Sequence, residues 1–320
     1  MKKKFILILI IALSFTTLTA CQSDSKIDEY PKKPITWIVP FGTGGGSDQF
    51  ARIMEKQIEK NSEAEIVVVN IPGAKTAVGL NQFMDKDSDG YTVLGATSDT
   101  IINMATGTSE QTVSDIIPVA RIQYNIDMLF INNEESRFSN YEEMIDYLKE
   151  NPEGLSVGTT GLDGADAFTI KKIEEHEDVK FKIMPFSEPG ERYAALAGGH
   201  IDLLFEQPGD IISFLDANKY KPILSMSDER IEGFEEIPTT AEYGMDITKG
   251  YWRGIWVKKG TSQEHIDYIT NLIIEAVESE DYIKYEESKF LHLRECLLYG
   301  EDFQKFIEDE YQYYKNINDN

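Results

Sequence analysis

The stretch PFGTGGGSDQFARIMEKQIEK, Pro40–Lys60, puts four glycines within five positions directly ahead of a helical pattern. Phe50, Ile53, Met54 and Ile58 recur at helical spacing, Ser47 reads as the N-cap, and Asp48 falls in the first turn. Glycine loses much conformational freedom on folding, so a dense run of it calls for a compensating use. A helix N-terminus exposes unpaired N–H groups and about half a positive charge. Glycines let a ligand reach those groups with no Cβ in the way, so strand, glycine loop and helix together form an anion-binding device. A tight turn at positive φ explains one or two glycines and leaves the others without a reason. The nucleotide forms of the device fail on spacing. No Lys stands where a P-loop requires Gly-Lys-Ser/Thr, and a dinucleotide fingerprint wants glycine at 42, 44 and 47, where the third position is Ser47. A small carboxylate or similar anion is the better guest.

Outward from this loop, PITWIVPF (Pro34–Phe41) is short, apolar and β-branched, as a buried strand is. EIVVVN (Glu65–Asn70) is a second strand. IPGAKTAVGLNQFMDK is a Pro-Gly turn leading into a helix, and DGYTVLGATSDT gives a turn, a third strand and a loop rich in hydroxyls. This βαβαβ alternation predicts a parallel sheet covered by helices. Right-handed crossovers set its three strand-to-helix loops along one edge. From about Asn132 the pattern restarts. NYEEMIDYLKENPEG is an amphipathic helix, LSVGTTG a strand with a Thr-Gly loop, DAFTIKKIEEHE a helix and FKIMPF a strand. ERYAALAGG is a helix, HIDLLFEQ a strand, and SFLDANKYKPIL a short helix and a strand. WRGIWVKKGT (Trp252–Thr261) is the last strand. SQEHIDYITNLIIEAVES places Ile266, Ile269, Ile273 and Val277 on one helix face, and EDFQKFIEDEYQYYKNI is the closing helix.

Other loops carry the same chemistry. PGAKTA offers backbone N–H groups at a helix start, with Lys75 nearby as a counter-charge. TSDT offers Thr97, Ser98 and Thr100, and GTTGLDGAD offers Thr159, Thr160 and Gly161. Hydroxyls and helix starts from two α/β units can converge on one interdomain pocket. Catalytic motifs are weaker. There is no G-x-S-x-G elbow, and Ser47 has no histidine close in sequence. An enzyme on this scaffold needs a nucleophile and a base meeting in the cleft.

The 320 residues suit one large domain or two of ordinary size, with 41% hydrophobic residues for a core. With 31 basic and 56 acidic residues the net charge is −25, which argues against general affinity for nucleic acid or anionic lipid. At the N-terminus MKKK is a basic region, FILILIIALSFTTL an apolar one, and LTAC closes it at Leu18–Cys21. This is an export signal, too short for a comfortable membrane span of roughly 20 residues. LTAC resembles the lipobox of bacterial lipoproteins, in which the cysteine, here Cys21, becomes the lipid-modified first residue. QSDSKIDEYPKK follows as a polar tether. Removing the three leader lysines leaves a net charge of −28. The other cysteine, Cys296 in LRECLLY, reads as an inert buried thiol. His176, His200, His265 and His292 are scattered singly and show no metal-ligand spacing, so no metal and no cofactor is expected.

Five motifs in order, YPKKPITWIVPFGTGGGSDQFAR, NIPGAKTAVGLNQF, DGYTVLGATS, LAGGHIDLLFEQP and IPTTAEYG, resemble the extracytoplasmic solute receptors of tripartite tricarboxylate transporters, the Bug receptor family. The likeness runs from Tyr30 to about Tyr314. It implies an α/β, two-lobed, type II periplasmic-binding-protein-like fold with the ligand between two α/β domains. Residues 1–20 are then a lipoprotein signal peptide, 21–29 a tether, 30–130 plus 251–320 the first domain and 131–250 the second. The LTAC lipobox implies anchoring at the extracytoplasmic face of the cell membrane by a lipid on Cys21, and a monomer is expected. Such a receptor passes a small organic acid to two integral membrane subunits. A sensory receptor feeding a signalling partner is the alternative. Carried onto this sequence, the family's ligand contacts fall on Phe41, Gly44, Gly45, Gly46, Ser47 and Asp48, and across from them on Thr159, Thr160 and Gly161. Ala74, Lys75, Thr97, Ser98 and Phe186 are further contributors. Three positions depart from the family. Lys75 adds charge where relatives often carry glycine, Asp166-Ala167 replaces a common Ser-His pair, and Glu206 stands where Asp is common. If Asp166 and Glu206 face the cleft, an all-anionic guest such as citrate is disfavoured and a carboxylate bearing an amine fits better.

Overall fold

The computed structural model describes residues 30–318 apart from 248. The chain divides into Met1–Lys32 and Lys33–Asn320. The leader, the tether and Cys21 lie outside the described residues. Of the first unit Tyr30–Lys32 are described, with a cis Tyr30–Pro31 peptide.

In the second unit the chain runs β1 (Ile35–Val39), α1 (Gly46–Asn61), β2 (Ile66–Asn70), α2 (Ala77–Met84), β3 (Thr92–Thr97), α3 (Ser98–Ala105) and β4 (Ile116–Tyr124). It then builds β5 (Met128–Asn132), α4 (Tyr141–Glu150), β6 (Ser156–Thr159), α5 (Ala165–Glu177), β7 (Lys182–Pro185), α6 (Pro189–Ala197), β8 (Leu203–Glu206), α7 (Ile212–Asp216) and β9 (Tyr220–Ser225). It returns through β10 (Trp252–Lys258), α8 (Gln263–Val277), α9 (Glu280–Ser288), β11 (Leu298–Tyr299) and α10 (Gly300–Asn318).

Two sheets result, and the molecule is a two-lobed α/β protein. The first has the order β11-β4-β10-β3-β1-β2 and the second β7-β6-β8-β5-β9. β2, β1 and β3 are parallel, as the βαβαβ pattern predicts, and β10 and β4 join them antiparallel. The loops after β1, β2 and β3 therefore share the carboxyl edge of the sheet, the usual ligand side of an open α/β sheet. The chain passes between the sheets twice, and the passages lie side by side. The Asn125 N–H and Asn125 Nδ2 both donate to the Tyr251 carbonyl, at 2.8 and 3.0 Å, and Met226 N–H donates to the Asp127 carbonyl at 2.9 Å.

Each sheet is covered on both faces. In β5, Leu129 and Ile131 join one apolar cluster while Met128 and Phe130 join another, so alternate side chains enter different layers. Such a strand carries no polar alternation, and the restart placed at Asn132 in fact begins at Met128. β4 hides for another reason, because Pro118 and the buried Arg121 and Gln123 interrupt its apolar run. The hydroxyl-rich loop TSDT is instead the start of α3, with Thr97 as its N-cap in a capping box with Thr100. Trp252–Lys258 is not the last strand, because β11 adds two residues to the edge of β4. In the first lobe α10 docks through Phe303 and Ile307, both 0% exposed, and Glu310 accepts the Trp252 indole N–H at 2.6 Å. Cys296 is buried, accepts from Tyr124 N–H at 3.3 Å, and has its thiol pushed up to about 11 by burial.

Candidate functional site

α1 starts at Gly46 with Gly45 as N-cap. Ser47 therefore sits inside the first turn, and no side chain caps this helix. The N–H groups of Gly46 and Ser47 have no acceptor within the helix. Asp48 turns back on its own loop. One carboxylate oxygen accepts the Gly44 N–H at 2.9 Å and the other pairs with Arg52 at 3.0 Å.

The glycine run now has a local reason. Gly44 alone of the four has positive φ, at 83°. The others are demanded by close approach. A Cβ on Gly45 would lie 2.6 Å from Pro189 Cγ, and one on Gly46 would run into the Asp210 carboxylate and the Arg253 guanidinium. Pro189 and Asp210 follow strands of the second sheet, so the opposite lobe sits directly on this loop.

Between the lobes lie two adjoining chambers. The inner one, about 60 Å³, is lined by Phe41, Gly45, Gly46 and Ser47 from the first lobe and by Thr160, Asp166, Arg192, Tyr193, Glu206, Gln207 and Asp210 from the second, with Tyr251 and Arg253 from the returning chain. The outer one, about 360 Å³, is lined by Phe41, Ala74, Lys75 and Asp99 and by Thr160, Gly161, Asp163, Phe186 and Arg192. The outer volume alone is that of a small-molecule site.

Asp166, in the first turn of α5, accepts from Thr160 N–H at 2.5 Å and from the Thr160 hydroxyl at 2.9 Å. Glu206, at the end of β8, pairs with Arg192 at 2.5 Å, and Arg192 also stands 3.7 Å from Asp166. Arg253 donates to Gln123 at 3.0 Å, to Gln207 at 2.9 Å and to Asp210 at 2.5 Å. Gln207 in turn donates to Asp127 at 2.5 Å. Burial pushes Asp166 up to about 6 and Asp127 up to about 7, and it raises Glu206 while Arg192 pulls the other way.

The lobes also touch at the cleft rim. Asp99 of α3 accepts the Ala165 N–H at 2.9 Å and so caps α5, and its other oxygen accepts the Tyr251 hydroxyl at 3.0 Å. Lys75 pairs with Asp163.

Of the residues that the sequence singles out, Phe41, Gly45, Gly46, Ser47, Thr160, Asp166 and Glu206 meet at the inner chamber, and Ala74, Lys75, Gly161 and Phe186 at the outer one. Gly44, Asp48, Thr97, Ser98 and Thr159 lie off both linings. Thr159 donates its hydroxyl to the Gly161 carbonyl at 2.7 Å, and Ser98 lines a separate cavity of about 70 Å³ with Asp127 and Lys172. Arg192, Arg253, Asp210, Gln207 and Tyr251 went unread. A charged residue inside the apolar strand WRGIWVKK is the signal that marks Arg253.

A family model described as tripartite tricarboxylate transporter family receptor matches residues 50–320. The chain belongs to that family. The resemblance carried by the five motifs is thereby borne out, and this receptor is an extracytoplasmic solute-binding protein of the Bug type. Protein BugT of Bordetella pertussis is 23% identical to the receptor over 264 residues, covering 80% of each chain. A TctC solute-binding protein from Polaromonas is 28% identical, with a TM-score of 0.67 over 91% of this receptor and 100% of that chain. MatC from Rhodopseudomonas palustris, solved with bound malate, shares the receptor's fold at 19% identity, with a TM-score of 0.80 over 90% of this chain and 100% of that one.

Proposed function

We propose that this receptor captures a small organic acid in the cleft between its lobes and delivers it to the two membrane subunits of a tripartite tricarboxylate-type transporter. The observation that carries the reading is the uncapped start of α1, whose Gly45, Gly46 and Ser47 line a chamber shared with the other lobe. Phe41, Gly45, Gly46, Ser47, Thr160 and Gly161 are the contacts assigned to the acid. Each hydrogen bond to its charge is worth about 1.5–3 kcal/mol, so a few of them reach the roughly −8.2 kcal/mol of micromolar affinity. A negative protein can hold an anion because oriented amides at contact range outweigh distant, screened charge. The contacts assigned to both lobes exist together only when the cleft is shut, so the ligand favours closure by its differential affinity. MatC's bound malate supports the ligand class by analogy.

Two measurements test this. Gly45→Val drives a side chain into Pro189, so calorimetry should show carboxylate binding lost while the melting temperature stays within a few degrees; unchanged affinity removes the loop from the site. For the anchor, Cys21→Ser should move the protein from the membrane fraction to the soluble one. Continued membrane association would end the lipoprotein reading.

A further inference from the structure

Two glycines in the loop between β6 and α5 answer to the opposite lobe. A Cβ on Gly161 would run into the Lys75 side chain, and one on Gly164 would lie 2.8 Å from Asp99 Oδ1. Gly164 has a φ of −82°, which any residue adopts, so close approach is the reason for glycine there.

Gly164 is also the N-cap of α5 and offers that helix no side-chain acceptor. Asp99 supplies one from the first lobe, its Oδ1 accepting the Ala165 N–H at 2.9 Å. Its Oδ2 accepts the hydroxyl of Tyr251, on the returning chain, at 3.0 Å. The start of α3 itself is served separately, by the Thr100 hydroxyl oxygen, which accepts the Thr97 N–H at 3.2 Å. Asp99 is 2% exposed. Burial pushes its carboxyl up, and the Ala165 N–H, the Tyr251 hydroxyl, Lys75 and Arg192 pull it back.

This contact exists only while the lobes touch. Without the carboxylate, the Ala165 N–H and the Tyr251 hydroxyl lose their acceptor in a place that water does not reach. With the lobes apart, water takes over. A donor left unanswered costs most where it is buried, so the contact favours the closed cleft over the open one. We infer that Asp99 is a positioning residue, a helix cap supplied across the cleft that holds the lobes together and sets how long a bound acid stays. This rests on the carboxylate reading of the cleft and adds the residue that governs release.

Asp99 also lines the outer chamber, so holding the lobes has to be separated from touching the ligand. The test is stopped-flow kinetics on the purified protein with malate, succinate, glutarate and adipate as probes. Asp99→Ala should speed the release of every acid that binds about tenfold or more, by a common factor, and leave association within about threefold. Asp99→Asn keeps one acceptor oxygen and should recover most of that loss. Gly164→Ala sets a methyl against the carboxylate and should speed release in the wild type, and much less in the Asp99→Ala background, since both changes strike one contact. Release unchanged in Asp99→Ala, a factor that differs from acid to acid, or strictly additive effects of the two substitutions overturns this inference and leaves the carboxylate reading standing. Should Asp99→Ala fail to fold, Gly164→Ala decides alone, and unchanged release in it overturns the inference. Silence from all four acids overturns both.

Discussion

Arg192 sits on α6 between Glu206 and Asp166, buried with both. Taking one partner from a buried ionic group leaves charge with nothing to answer it, which costs about 3–5 kcal/mol. Arg192→Met should lower the unfolding free energy by that amount in urea titration, and adding Glu206→Gln should return part of it. A single variant as stable as the wild type would show that the guanidinium does not hold the two acids. At this scale the sequence is legible only in part. Asp166 and Glu206 are singled out only through the resemblance to the family and not by any local motif. Arg192 lies in ERYAALAGG, which reads as one more helix face, and its partners come from β8 and α5. No local pattern joins positions 166, 192 and 206; the pleat of the second sheet and the packing of α6 do.

Among the elements, the segment between β2 and α2 is the one under strain. Ala74, Lys75 and Thr76 have φ of 43°, 45° and 81°, three successive non-glycine residues in the left-handed region. Such residues cost of order 1–3 kcal/mol each and persist where their surroundings hold them. Asn103 does part of that holding, donating to the Lys75 carbonyl and to the Thr76 hydroxyl oxygen. The strained turn presents Lys75 to Asp163 across the cleft rim. Asp163 is 52% exposed, so the pair is worth about 0–1 kcal/mol. Asp163→Asn should therefore weaken ligand affinity by no more than about fivefold, mainly through faster release, and stopped-flow dissociation would measure it. A loss of a hundredfold would mean that the carboxylate touches ligand. The βαβ units themselves were readable, since strand and helix periods differ and glycine or proline separates them. β5 was not, because a strand buried on both faces shows no alternation, and β4 was not, because Pro118, Arg121 and Gln123 break its apolar run.

For the whole molecule, the sum of buried acids sets the response to pH. Burial raises Glu310, Asp127 and Glu286 to about 7 and Asp166 to about 6. Between an unfolded value near 4 and these folded values, the folded chain holds more protons than the unfolded one. Stability therefore falls as pH rises through that window and returns on acidification. Asp202 and Glu135 are lowered, and their contribution is lost only further down, as pH falls through their folded values. Relief of the repulsion within a chain of net charge −25 works in the same direction. The melting temperature should accordingly be higher at about pH 5.5 than at about pH 8 by calorimetric scan. A maximum on the alkaline side would contradict the assignment of these acids as buried.

The order of strands in the first sheet bears on how such a chain is made. β10 lies between β3 and β4, although some 130 residues, the whole second sheet among them, come between β4 and β10 in the sequence. A ribosome or an export channel releasing the chain from its N-terminus delivers a finished second lobe while the first still has an open seam. Until Trp252 emerges, β3 offers that seam to any strand that will pair with it, so premature release exposes an aggregation-prone edge. A stop codon just upstream of Trp252 would remove the centre of the older lobe.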